Sequence, residues 1–261
     1  MNFELPFLPE RTKKKRDKGL TMVMDKGLSN TQTEYVIESC GNLIDLVKFG
    51  FGTSYLTNNL KVKLALYNEA DIKCYLGGTL FEAYVARGMF DDYRKLLDEL
   101  KLEVAEVSDG CIHIEQEEKL KYIEQLANQV TVLSEVGSKS SDVVLSDEEW
   151  ISKMNTELAA GSWKVIAEAR ESGTIGIYDS SGTAKTEMID HLSEEVGADN
   201  IIWEAPIKGQ QVYFINNFGS NVNLGNIAPH EVIPLETLRL GLRGDTFFSF
   251  VPDEIRKQYG E

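Results

Sequence analysis

The chain has 261 residues, of which 42% are apolar and 26% charged, enough to bury a sizeable core and to exclude a largely disordered chain. A formal net charge of −15 argues against nucleic acid or an anionic membrane as partner, so an anionic substrate must meet a local basic pocket. Cys40, Cys74 and Cys111 are odd in number and lack CxxC spacing, as expected of a reduced chain in the cytoplasm, and no apolar run approaches the roughly 18 residues that span a bilayer.

Residues 1–19 carry Pro6, Pro9 and the basic run RTKKKR (11–16), and read as an N-terminal arm across the domain with solvated charges. Strand one is expected at Leu20–Asp25, a helix at Thr31–Cys40, and strand two within LIDLVKFGFG (43–52). A helix at Leu60–Glu69 leads to strand three, IKCYLGG, whose glycine pair permits close backbone approach to a ligand. Residues 79–100 read as one longer helical excursion, with Phe90, Tyr93, Leu96, Leu97 and Leu100 at helical spacing. Strand four is LEVAEV, and in the next helix Leu120, Ile123, Ala127 and Val130 share a face. Strand five lies in TVLSEVGSKSS (131–141). Ser146 and Glu149 then have the spacing of a capping box for a helix at Asp147–Ala160.

Strand six is KVIAEA, followed by a Gly- and Ser-rich stretch, 173–182, expected to be a functional loop. Met188, Ile189, Leu192 and Val196 mark a helix closed by Gly197. Strand seven is NIIWEAP, a helix follows at Gln210–Phe218, and strand eight is VNLGNI. The last helix is expected at Pro234–Arg243 with Leu235, Leu238 and Leu242 inward, leaving 251–261 as a C-terminal tail. Eight strand-then-helix units imply parallel strands with crossover helices, an α/β fold best met by a single (β/α)8 TIM barrel over residues 20–250. An open doubly wound sheet would carry a Gly-rich nucleotide loop after strand one, and DKGLSN is a poor match.

Alternate residues of a barrel strand face inward, so parity groups Val104 with Glu106, Leu133 with Glu135, Ile166 with Glu168 and Arg170, and Ile202 with Glu204. If those faces point inward, four carboxylates ring one mouth of the barrel, and a cation must sit among them. Lys26, Lys48, Lys139, Arg170 and a divalent metal are the candidates. Oxygen ligands without a His or Cys set favour Mg2+ over zinc. Ser172, Ser180 and Ser181 lack a histidine partner for a hydrolase triad. Arg170-Glu171-Ser172-Gly173 offers a fork of N–H donors beside Ser and Gly, suited to a phosphate or carboxylate.

These same segments, VKFGFGTS (47–54), GGTLFE (77–82), EVSDG (106–110), LSEVGSK (133–139), EARESG (168–173), WEAP (203–206), VNLGNIA (222–228) and LETLRLGLRGDTF (235–247), resemble the phosphosulfolactate synthase family. The resemblance runs in order over about residues 20–250. It implies a Mg2+-dependent barrel enzyme of the carbon–sulfur lyase class that adds sulfite to phosphoenolpyruvate and yields (2R)-phospho-3-sulfolactate through an enolate-like intermediate. By similarity, Lys139 is the general acid. Lys26, Lys48 and Arg170, with Ser172 and the backbone at Gly173, hold the substrate anions, and parity plus resemblance makes Glu106, Glu135 and Glu168 the metal ligands, with Glu204 as a fourth candidate. The product would feed coenzyme M synthesis, as in methanogens, or sulfolactate accumulation, as in spore-forming bacteria, and exposed barrel helices suggest a homo-oligomer. Two alternatives stay open on the sequence: a non-catalytic relative like the family's plant branch linked to heat stress, and another phosphoenolpyruvate-using lyase or aldolase.

Overall fold

Near-continuous apolar strands that alternate with one-sided helices can satisfy themselves only as a parallel sheet covered by helices. The computed structural model describes residues 3–137, 145–170 and 172–260. Its strands are β1 (Thr21–Asp25), β2 (Leu46–Phe49), β3 (Lys73–Leu76), β4 (Val104–Val107), β5 (Thr131–Val136), β6 (Ser162–Ala167), β7 (Ile201–Glu204) and β8 (Leu224–Ile227). They form one eight-stranded sheet in the order β3-β2-β1-β8-β7-β6-β5-β4, with every described pairing parallel. The end strands β3 and β4 also meet, which brings the sheet to a nearly closed barrel with one seam that lacks a ladder.

Among the described residues the helices are α1 (Asn30–Cys40), α2 (Thr53–Leu56), α3 (Leu60–Glu69), α4 (Gly78–Val85), α5 (Phe90–Leu100), α6 (Gln116–Ala127), α7 (Asp147–Ala159), α8 (Thr186–Leu192), α9 (Lys208–Phe218), α10 (Val232–Arg239) and α11 (Asp253–Tyr259). The capping box at Ser146 and Glu149 is formed, each side chain accepting from the other's backbone N–H. The excursion expected over 79–100 is instead two helices, broken beside Gly88, whose φ of 68° lies in the left-handed region. Leu242 lies beyond the end of α10 and is exposed, so only Leu235 and Leu238 of the expected trio face inward. The C-terminal tail forms α11, a short helix that no apolar periodicity signals.

Parity divides the core in two. Leu20, Met22, Leu46, Tyr75, Val104, Leu133, Ile166 and Ile202 fill the barrel interior. Their strand neighbours, such as Val47, Ala105, Val165 and Trp203, join the outer core under the helices. Trp203 stacks there on Phe214 of α9, ring centroids 5.0 Å apart.

The basic arm is less solvated than its composition suggests. Arg11 Nε donates to Glu236 Oε1 at 2.9 Å, and Arg16 Nε to Asp45 Oδ1 at 3.0 Å, with the Arg16 and Asp45 side chains only 5% and 8% exposed. Lys14 Nζ donates to the carbonyls of Gly41 and Ala70, both at 3.0 Å. Beside them Arg239, fully buried, donates to the carbonyls of Ser220, Val222 and Leu20 where β8 and β1 begin. Three of the arm's charges are therefore spent on closing the N-terminal floor of the barrel.

Candidate active site

The C-terminal ends of the strands open into a cavity of about 520 Å3, whose lining includes Lys48, Glu106, Glu135, Glu168, Glu204, Arg170 and Asn226. It is the cavity with converging charges at the end where barrel enzymes place their chemistry. The inward parity of Glu106, Glu135, Glu168 and Glu204 puts all four carboxylates there, above the apolar layer of Val104, Leu133, Ile166 and Ile202.

Lys48, on β2, reaches across the mouth. Its Nζ lies 3.0 Å from Glu106 Oε2, 3.0 Å from Glu135 Oε2 and 3.4 Å from Glu204 Oε1. Burial works against the charged ammonium, but Glu106, Glu135 and Glu204 together outweigh it and hold the Lys48 pKa well above its ordinary value. The group is a fixed cation at neutral pH. Tyr75, its register partner on β3, is fully buried beside the same charges, and burial first, then Glu106, push its phenol well up, so it stays neutral.

Backbone donors take further carboxylate oxygens. Gly78 N donates to Glu106 Oε1 at 2.5 Å, Ala169 N to Glu204 Oε2 at 3.0 Å, and Arg170 N to Glu168 Oε1 at 2.5 Å. The glycine pair is needed at that distance: a Cβ on Gly78 would lie 2.1 Å from Ser108 Oγ. Arg170 adopts a left-handed φ of 54°, and its side chain is exposed at the rim beside Ser172.

Two clamps unforeseen in the sequence hold the walls. Glu82 of α4 accepts from Ser108 Oγ, from Gly110 N at 3.0 Å and from Cys111 N at 2.9 Å, so GGTLFE and EVSDG are halves of one device. Lys119 of α6 donates to Asp109 Oδ1 at 2.8 Å and to the Glu135 carbonyl at 2.7 Å, and pairs with Glu157 Oε1 at 2.9 Å. The available signal was a charged residue among the apolar positions of an inward helix face, because a buried charge must be paired. Gln210 likewise donates to the carbonyls of Gly173 and Gly182 and pins the Gly- and Ser-rich loop at both ends.

Of the expected anion-binding residues, Lys48, Arg170 and Ser172 share the cavity, and Gly173 packs beside it against Gln210. Lys26 is exposed and lines a neighbouring cleft with Gly27, Ser29 and Thr53. Lys139 lies outside the described residues. Among the described residues no trio of His, Cys, Asp or Glu is gathered as a metal cluster. No helix of the described chain is long and apolar enough to cross a membrane.

A parallel eight-stranded barrel with charged side chains converging at the C-terminal mouth defines a TIM-barrel enzyme. Residues 9–245 match the family model for (2R)-phospho-3-sulfolactate synthase (ComA), and the chain belongs to that family. It is 42% identical over 244 residues to the phosphosulfolactate synthase of Bacillus subtilis, an alignment covering 92% of this chain and 97% of the relative. It is 46% identical over 236 residues to that of Methanocaldococcus jannaschii, covering 88% and 94%. Among solved structures, 3-hexulose-6-phosphate synthase from Salmonella typhimurium superposes with a TM-score of 0.57 at 9% identity, covering 86% of this chain and all of that one. At that identity the likeness establishes the fold alone.

Proposed function

We propose that this chain adds sulfite to phosphoenolpyruvate to form (2R)-phospho-3-sulfolactate. The observation that carries the reading is one cavity, in a chain of this family, where a permanently charged lysine and Arg170 face four inward glutamates. The sulfite lone pair attacks the methylene carbon and forms the C–S bond. The π electrons move to the adjacent carbon and its carboxylate, and a proton delivered to that carbon completes the product. Arg170, with its planar fork at the rim, suits the phosphate or carboxylate of the substrate, and Ser172 adds a hydroxyl beside it. Lys48 sets a positive pole at the base of the cavity. Lys139, in the SEVGSK motif, is the proposed proton donor on the strength of the family resemblance.

The donor chemistry fits Mg2+: the candidate ligands are all oxygen, and four carboxylates share the mouth with one ammonium, which three of them engage. Because three of them already engage Lys48, Mg2+ would use one or two among Glu106, Glu135 and Glu168, with water and substrate oxygens completing its shell, the usual mode for this ion. When bound, it would supply electrostatic stabilisation of charge building in the substrate carboxylate. Three free cysteines support a cytoplasmic enzyme, and a homo-oligomer is expected.

The test is direct: phosphoenolpyruvate should disappear in the presence of Mg2+ only when sulfite is added, with the sulfonated product identified by mass. A folded sample without turnover under those conditions would sink the proposal. Lys139→Ala should remove most turnover with the fold intact, and near-normal activity would reject its role as the acid.

A further inference from the structure

The parity of β8 breaks within the strand. On β1, Thr21 pairs with Leu224 but Val23 pairs with Ile227, so β8 carries one extra residue between those two pairs. Leu224 and Ile227 both pack in the outer core, although three residues apart on a regular strand would face opposite ways. The bulge therefore turns both Gly225 and Asn226 toward the interior. Gly225 meets Met22 and Ile202 so closely that a Cβ would lie 2.6 Å from Met22 Cε, and Asn226 takes a left-handed φ of 56°. Bulges of this kind re-aim a side chain beside an active site, and asparagine is among the few residues that tolerate the conformation.

The re-aimed side chain is a polar group in want of a partner. Asn226 is 7% exposed and lines the cavity with Lys48, Glu204 and Arg170, yet its Oδ1 has no hydrogen-bond partner among the described residues, and its Nδ2 donates to none of them either. Its backbone N–H donates to the Met22 sulfur, 3.4 Å away. A buried carboxamide left unpaired, on a strained backbone that exists to point it there, is explained if the ligand supplies the partner.

We propose that Asn226 is a substrate-contacting residue whose carboxamide Nδ2 donates to an oxyanionic substrate in the cavity that Arg170 also lines. The inference rests on the proposed synthase reaction for the identity of that oxyanion, and on geometry alone for its place. A carboxamide can donate to a phosphate, carboxylate or sulfite oxygen and adds no charge to the cavity.

Asn226→Gly removes the carboxamide and keeps a residue at ease with positive φ; Asn226→Asp keeps the shape and replaces the N–H donors with negative charge. Both variants should melt within a few degrees of the parent. Asn226→Gly should raise KM for phosphoenolpyruvate or for sulfite by about ten- to hundred-fold, the size of one hydrogen bond to an anion, and Asn226→Asp should raise it further. Phosphoenolpyruvate binding, followed by ligand-induced thermal shift, gives a reading without turnover. A parent that binds phosphoenolpyruvate but does not consume it with sulfite overturns the reaction and leaves the contact to be judged by binding. Either folded variant with unchanged binding and both KM values within two-fold of the parent overturns the role of Asn226.

Discussion

Replacing Lys48 by methionine, which keeps the length of the side chain and deletes its charge, leaves Glu106, Glu135 and Glu204 without the ammonium that sits 3.0 to 3.4 Å from each. Removing one partner of a buried ion pair typically costs 3–5 kcal/mol, roughly, because the survivors remain buried and charged. At about 2–4 °C per kcal/mol for a domain of this size, Lys48→Met should lower the melting temperature by about 6–20 °C at pH 8. The pH dependence has a definite sign. The folded pKa of Lys48 lies above its ordinary value of 10.5, so its stabilisation is complete below that value and lost only as pH rises through the folded pKa. Melting curves from pH 8 toward pH 10 should therefore keep the gap between the two proteins unchanged. A loss below about 1 kcal/mol at pH 8, or a gap that closes as pH rises toward 10, would refute the account of Lys48 as the counter-charge of the ring.

Glu82→Gln weakens three bonds to the 108–111 loop and should cost about 1–3 kcal/mol in urea unfolding, with a larger loss of activity than of stability; unchanged activity would show that the loop does not depend on the clamp. Arg16→Ala leaves the Asp45 carboxylate without its ion-pair partner, holding only the Thr21 N–H among the described residues, and should lower the melting temperature while KM stays the same, since the floor is remote from the mouth. Ser146→Ala removes a cap bond to Glu149 N and should cost about 1 kcal/mol, measured by chemical denaturation.

The barrel was legible because apolar strands and one-sided helices alternate eight times, and because on β4 to β7 an inward apolar residue stands two positions before each glutamate. What could not be read is what depends on pairs distant in sequence. Lys48 was among the cations expected within the ring, but nothing local set it above Lys26, Lys139 or Arg170, and only the fold shows it meeting carboxylates from three other strands. Glu82 and Lys119 sit within helix patterns, where a charge is ordinarily solvated; their place on an inward face was the available sign, and only the fold names the partners they hold. The arm misled for the converse reason: a run of like charges suggests solvent, yet Arg11 and Arg16 reach carboxylates on α10 and before β2. Asn226 escaped notice because strict alternation assigns it to the outer face, and a bulge has no fixed signature in sequence.

The seam between β3 and β4 has a thermodynamic consequence. With no ladder across it, the described bonds that bridge this stretch run through side chains: Gly78 N to Glu106, and Glu82 to the loop after β4. Glu106 is thus a member of the ring around Lys48 and a rivet of the barrel wall at once. Whatever binds the ring and steadies Glu106 also raises the free energy needed to part the seam, and by reciprocity a stiffer seam favours that ligand. Hydrogen exchange should report it as slower amide exchange in β3 and β4 on saturation with phosphoenolpyruvate and Mg2+, while the arm-covered floor exchanges as before.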